Sequence, residues 1–286
     1  MSAPNKVTRL GDDFRWPGGR RVAVVFNIAY EGWSDGQAPG IGPMGNVLKP
    51  GFFDTNADSW ARFGATRGID RLLGVAERQK VRTSVMTNGV LAERHPDRVR
   101  RIQDFGHEII AHSWGMDVIP VYFDEAGERA NLKRTMDAIA AATGGTRPTG
   151  WISPRGTGGL SGAKLLAEEG MFHHGDCNDD DLPYVEHFGD KRVVGISLTM
   201  DVNDLPWVIR YGNAPAGLIE VFRQTLEAAR RETRAICFDA TAHTHVFGRS
   251  AGAWVFEEQM KIAKQYDDVW IATREEIAKH VLAAAR

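Results

Sequence analysis

Glu31, His112, His243 and His245 are the residues whose types and positions could do chemistry together. Glu31 stands in "AYEGW", just past the apolar, β-branched run Ala23–Phe26, and His112 ends "HEIIAHS". His243 and His245 follow "ICFDAT". A carboxylate beside imidazoles can activate water and shuttle protons, provided that all of them reach one place. Other polar residues fall at equivalent points. Pro154 and Arg155 follow "TGWIS", Asp176 and Asn178 to Asp181 follow "MFHHG", and Asp201, Asn203 and Asp204 follow "GISLTM".

The remaining candidates read more plainly. His107 sits inside a strand-like run as a hydrogen-bonded structural residue, and His95, His187 and His280 read as surface positions. His173 and His174 are adjacent, so in a strand at most one faces a site. "DCNDDD" has the alternation of a calcium loop but Asp181 where the sixth-position glycine belongs, and no flanking helix pair. Cys177 and Cys237 lack metal spacing and read as core thiols.

Strand-like and helical stretches alternate nearly throughout. A glycine- and proline-rich stretch from Ser34 to Gly51 is too long for an ordinary connection and is expected to shape a site. Residues 59–80 read as helix with Ile69, Leu72, Leu73 and Ala76 at helical spacing; "RTSVMTN" reads as strand, and 90–105 as helix broken at Pro96. Helices follow over 124–143, 160–169, 214–231 and 251–266, with strands at "TGWIS", "RVVGISLT", "RAICFDAT" and "VWIAT". Thr273 and Glu276 form a capping box for a final helix. About seven β-α units in one domain, residues 1–286, predict an α/β fold with a deformed parallel (β/α) barrel; an open doubly wound sheet is the alternative. In a barrel the residues just after each strand meet on one rim, which would unite the candidates above.

Composition narrows the partners. Lysine plus arginine (35) nearly balance aspartate plus glutamate (37), so no overall field favours nucleic acid or an anionic membrane. No segment reads as a signal peptide or membrane span, and a cytoplasmic protein is expected. No nucleotide fingerprint directly follows a strand. The expected partner is a small-molecule substrate, with homo-oligomers common among enzymes of this kind.

The same residues carry a likeness. "GHEIIAHSW" resembles the second motif of the NodB-homology polysaccharide deacetylases, carbohydrate esterase family four, in which Gly-His-Glu-Ile precedes His-Ser/Thr-x-x-His. "AYEGW" falls where that family has Phe-Asp-Asp-Gly, "ISPRG" at its arginine-proline motif, and "ATAHTH" where a late strand ends in Leu-x-x-His. The order matches over about residues 20–280. The resemblance implies a deformed (β/α) barrel whose rim binds zinc through one aspartate and two histidines. This sequence departs at the metal, with Tyr30 at the base aspartate, Glu31 at the metal aspartate and Met116 at the second histidine. A thioether is a poor ligand for zinc.

"WPGGRRVAVVF", "GWISPRG", "NDDDLPY", "MDVNDL" and the run from His243 to Arg249 are similar to the metal-independent allantoinase branch, which opens a hydantoin ring. Tyr30 replaces that branch's first glutamate, and His245 stands where an arginine is usual. The expectation is a hydrolase of non-peptide carbon–nitrogen bonds without a cofactor, acting on a small cyclic amide or ureide. Glu31 is the expected base, its pKa raised by burial against Tyr30, Trp33 and Trp114. His112 and His243 are expected to stabilise the oxyanion and protonate the leaving nitrogen. Arg155, Asp179, Asp180, His245 and Arg249, with Tyr30, Trp33 and Trp114, are expected to hold the substrate. The alternative is a zinc-dependent N-acetyl-sugar deacetylase with Glu31, His112 and Asp117 or His245 as ligands; a second is an inactive ligand-binding homologue.

Overall fold

The apolar run near the N-terminus becomes the axis of the fold. In this computed structural model, which describes residues 3–285, a short edge strand β1 (Lys6–Arg9) precedes β2 (Val22–Tyr30), buried at all nine positions because a parallel strand is covered on both faces. The chain continues as α1 (Thr55–Phe63), a π-helical turn over Gly64–Gly68, α2 (Ile69–Gln79), β3 (Ser84–Thr87), α3 (Gly89–Arg94) and α4 (Pro96–Asp104). Then come β4 (Glu108–Ala111), α5 (Glu125–Thr143), β5 (Gly150–Trp151), α6 (Gly162–Glu168), β6 (His173–His174), β7 (Tyr184–Phe188) and β8 (Lys191–Gly195). The last elements are α7 (Gly217–Arg231), β9 (Ile236–His243), α8 (Ser250–Ala263), β10 (Val269–Ala272) and α9 (Arg274–Ala284), the last opened by the expected Thr273–Glu276 capping box.

Seven strands run parallel in the order β9-β2-β3-β4-β5-β6-β8. The ring is a deformed barrel rather than a closed one. Between β8 and β9 its seam is spanned by an irregular segment, where Thr241 N–H donates to Val202 O at 2.9 Å and Asn203 bridges Thr241. β10 pairs with Val22–Val25, below the point where β3 takes over the same edge of β2. The antiparallel edge of β7 and β1 was not legible as strand, because Lys6–Arg9 has no apolar run.

Strand alternation sorts β2 into two faces. Val24, Phe26, Ile28 and Tyr30 pack outward into the helix layer. Ala29 points inward with Met86, Ile110, Ile152 and Leu198, an apolar plug across the barrel. Beneath the plug lies a polar layer: Arg274 pairs with Asp239 and donates to the Ile196 and Ser197 carbonyls, while Glu108 accepts from Ser84 Oγ and the Glu275 N–H and lies 2.9 Å from His173. His173 and His174 therefore serve the framework, His174 through Glu186 at 2.8 Å.

Residues 59–80, read as one helix, are two helices joined by the π-helical turn. That turn runs against the loop after β9. A Cβ on Gly68 would stand 1.9 Å from Thr244 O, so only glycine lets the helix approach so closely. Gly68→Ala is expected to lower stability by about 1–3 kcal/mol or more in urea denaturation, the usual cost of overpacking. It should also displace Thr244 and His245; a neutral result would contradict this packing.

Candidate active site

Glu31 follows β2 on its inward face and is 5% exposed. Burying a carboxylate this deeply demands partners. Its Oε1 lies 3.5 Å from His112 Nε2 and 3.4 Å from His243 Nε2, and its Oε2 lies 3.9 Å from His245 Nε2. Three imidazoles from the ends of β4 and β9 thus surround one carboxylate, at the floor of a cavity of about 670 Å³.

Each group is fixed from behind. The Nδ1–H of His112 donates to the Ile152 carbonyl, which turns Nε2 toward Glu31. Asn88 accepts from Gly32 N–H at 2.9 Å and donates to His112 O, tying the ends of β2 and β4 together. Asp204 takes the Nδ1–H of His243 at 2.6 Å and the backbone N–H groups of His243 and Phe247 at 2.8 and 3.0 Å. It reaches that position because the segment spanning the seam runs beside β9.

These contacts set the protonation states. Burial pushes Glu31 up, but the field of His243, the contacts of His112 and His243, and His245 together hold its pKa well below the ordinary carboxylate range. Burial pushes His243 down, yet Glu31 and Asp204 on its two nitrogens raise it to about 10. The pair is therefore a buried carboxylate and imidazolium at neutral pH. His245 goes the other way: burial, helped by the charges of His243 and Arg249, outweighs Glu31 and lowers it to about 4. It is a neutral ring, edge-on to Trp60 at 4.5 Å and Trp33 at 5.8 Å.

Glu31, Trp33, His112, Arg155, His243 and His245 all line the cavity, together with Pro39 and Ile41 from the long loop. Other expectations are corrected. Tyr30 faces outward into the helix layer, as it must when its neighbour Glu31 faces in. Trp114 also faces outward, under the Arg134 guanidinium, because Ser113 adopts φ 61° and breaks the strand alternation after His112. Asp179 and Asp180 are held by Arg9 from β1, and Tyr184 donates to Asp179, beside a different cavity. Arg249 precedes α8 and stacks on Phe63 at 4.2 Å, outside the cavity lining. The expected rise of the Glu31 pKa is reversed by the imidazoles. Asp204 was among the polar residues expected at the strand ends but was given no role, while Trp60 and Arg210 were not singled out.

The metal set does not assemble. Asp117 accepts the Ser34 N–H at 2.8 Å, and Met116 lines the cavity at the position of the second histidine. Among the described residues, no three His, Cys, Asp or Glu side chains are placed to hold a metal ion. The residues present do not fit the zinc of the deacetylase pattern.

Comparison with known proteins agrees with this frame. The family model described as polysaccharide deacetylase matches residues 53–171. The allantoinase PuuE superposes with a TM-score of 0.84 at 26% identity, covering 94% of this chain and 92% of that one. A Mycobacterium smegmatis protein assigned as a polysaccharide deacetylase gives 0.81 at 29% identity, over 99% and 94% of the two chains. A Schizosaccharomyces pombe protein with the same assignment is 23% identical over 92% of this chain and 91% of its own length. Over residues 53–171 the chain is thus similar to the polysaccharide deacetylase family, and an allantoinase stands among its structural neighbours.

The charge pair has a pH signature. His243, raised in the fold, adds stability that is full below its unfolded pKa of about 6.5 and is lost as pH climbs through about 10. Glu31, lowered, adds stability that is present above about 4.5 and is lost as pH falls. The stability gap between parent and His243→Gln, measured by urea denaturation, should be widest between about pH 4.5 and 6.5 and shrink toward pH 10. A gap independent of pH would contradict the ion pair.

Proposed function

We propose that the protein hydrolyses carbon–nitrogen bonds other than peptide bonds, in a small cyclic amide or ureide. The observation that carries this reading is the buried Glu31–His243 pair, backed by Asp204, at the floor of the cavity. The structural likeness to an allantoinase supports it. The family match on its own also suits deacetylation, so the test below includes that outcome.

A water held between Glu31 Oε1 and His112 Nε2 would face the substrate carbonyl. His112 then suits orienting the water, because its Nδ1–H is already spent on Ile152. A carboxylate with a depressed pKa is a weak base while His243 is charged. As His243 Nε2–H passes its proton to the leaving nitrogen, the field that depressed Glu31 disappears, and Glu31 gains the basicity to take the proton of the attacking water. The C–N bond breaks, the new C–O bond remains, and proton return across the 3.4 Å contact restores the pair. While His243 still holds that proton, its charge offsets that of the forming oxyanion.

Purified protein should open allantoin, hydantoin or succinimide faster than it releases acetate from chitooligosaccharides. Glu31→Gln should lower kcat on the order of 10²-fold or more with little change in binding. Acetate release from the sugars without ring opening, lost to chelation and restored by zinc, would overturn the reading. Near-parental kcat in Glu31→Gln would remove Glu31 from its role.

A further inference from the structure

The cavity wall carries an imbalance of charge that the proposed chemistry does not use. Its lining contains one carboxylate, Glu31, and that charge is offset by His243 at 3.4 Å. Two guanidinium groups, Arg155 and Arg210, remain uncompensated at the exposed end of the same lining. Among the described residues neither guanidinium makes an ion pair, a hydrogen bond or a ring contact. Arg9, Arg94, Arg129 and Arg230, by contrast, all have carboxylate partners.

The backbone at both arginines is positioned by groups tied to the site. Arg155 has φ 63°, a backbone conformation that costs a non-glycine residue strain. The turn is fixed because Ser153 donates to Asp176 through its N–H at 2.7 Å and its Oγ at 2.6 Å, and Gly156 N–H closes on Ser153 O at 2.8 Å. Arg210 ends the π-helical turn Leu205–Arg210, which starts directly after Asp204, and Pro206 and Ile209 of that turn line the same cavity. The segment that orients His243 therefore also carries the second arginine of the lining.

We infer that the substrate carries a carboxylate in addition to its scissile amide, and that Arg155 and Arg210 bind this carboxylate at the mouth while the amide reaches Glu31 and His243. Planar guanidinium forks match carboxylate geometry, and cationic walls around a partly apolar cleft concentrate anions. The inference rests on the proposed hydrolase reading for where the scissile bond lies, and on the two arginines alone for where the anion binds.

The test compares hydantoin with 5-carboxymethylhydantoin, its carboxylate-bearing counterpart. Binding is measured by calorimetry in the Glu31→Gln protein, and turnover in the parent. The carboxylate compound should bind and react at least about tenfold better, a preference that weakens with added salt. Arg155→Gln and Arg210→Gln, each made separately, should cut the preference, and the double variant should abolish it. Circular dichroism and a thermal melt verify that each variant is folded. Equal binding of the two compounds, or a preference that survives both substitutions, overturns the inference. Arginine-dependent preference in binding without ring opening of either compound upholds it and instead refutes the hydrolase reading.

Discussion

A carboxylate that is 5% exposed at a strand end on the barrel rim is the constraint around which the site is built. Taking such an ion out of water costs several kcal/mol, which must be met by charge and hydrogen bonds from the protein. No single element near Glu31 can supply them. His112 comes from the end of β4, His243 and His245 from the end of β9, and Asp204 from the segment spanning the seam. Satisfying one buried charge therefore requires that the parallel strands register correctly around the whole ring.

The rest of the interior serves this arrangement in layers. Arg274 pairs with Asp239 and Glu108 lies against His173 at the base, the apolar plug of Ala29, Met86, Ile110, Ile152 and Leu198 separates that layer from the rim, and the rim holds the imidazoles. The plug keeps the two sets of buried charges apart. The loop after β9 is pinned from outside by the glycines of the π-helical turn and from inside by Asp204. Two imidazoles two residues apart thus acquire opposite protonation tendencies, since His243 has carboxylates on both nitrogens and His245 has aromatic edges and an unpartnered Nδ1.

Much of this was legible in the sequence. Apolar runs ending in polar residues gave the parallel barrel, and the same rule picked out Glu31, His112 and His243 as neighbours, because strand ends converge however far apart they lie in the chain. Side-chain direction was less legible. Tyr30 and Glu31 cannot share a face, which alternation alone decides, but Trp114 follows a left-handed residue that no pattern announces. Asp179 and Asp180 looked like rim residues until Arg9 claimed them from a strand too short and polar to read. The pKa of Glu31 depended on which charges arrive beside it, and those arrive only on folding.

The central claim is that Glu31 and His243 form a charged pair before substrate binds. Its most direct measurement is an NMR titration of the His243 imidazole in the free protein and in Glu31→Gln. The account predicts an imidazolium that persists through neutral pH and titrates toward about 10, with a clear fall in that value when the carboxylate is replaced by an amide. A ring that titrates at or below about 6.5 in the parent, or a value indifferent to Glu31→Gln, would contradict it.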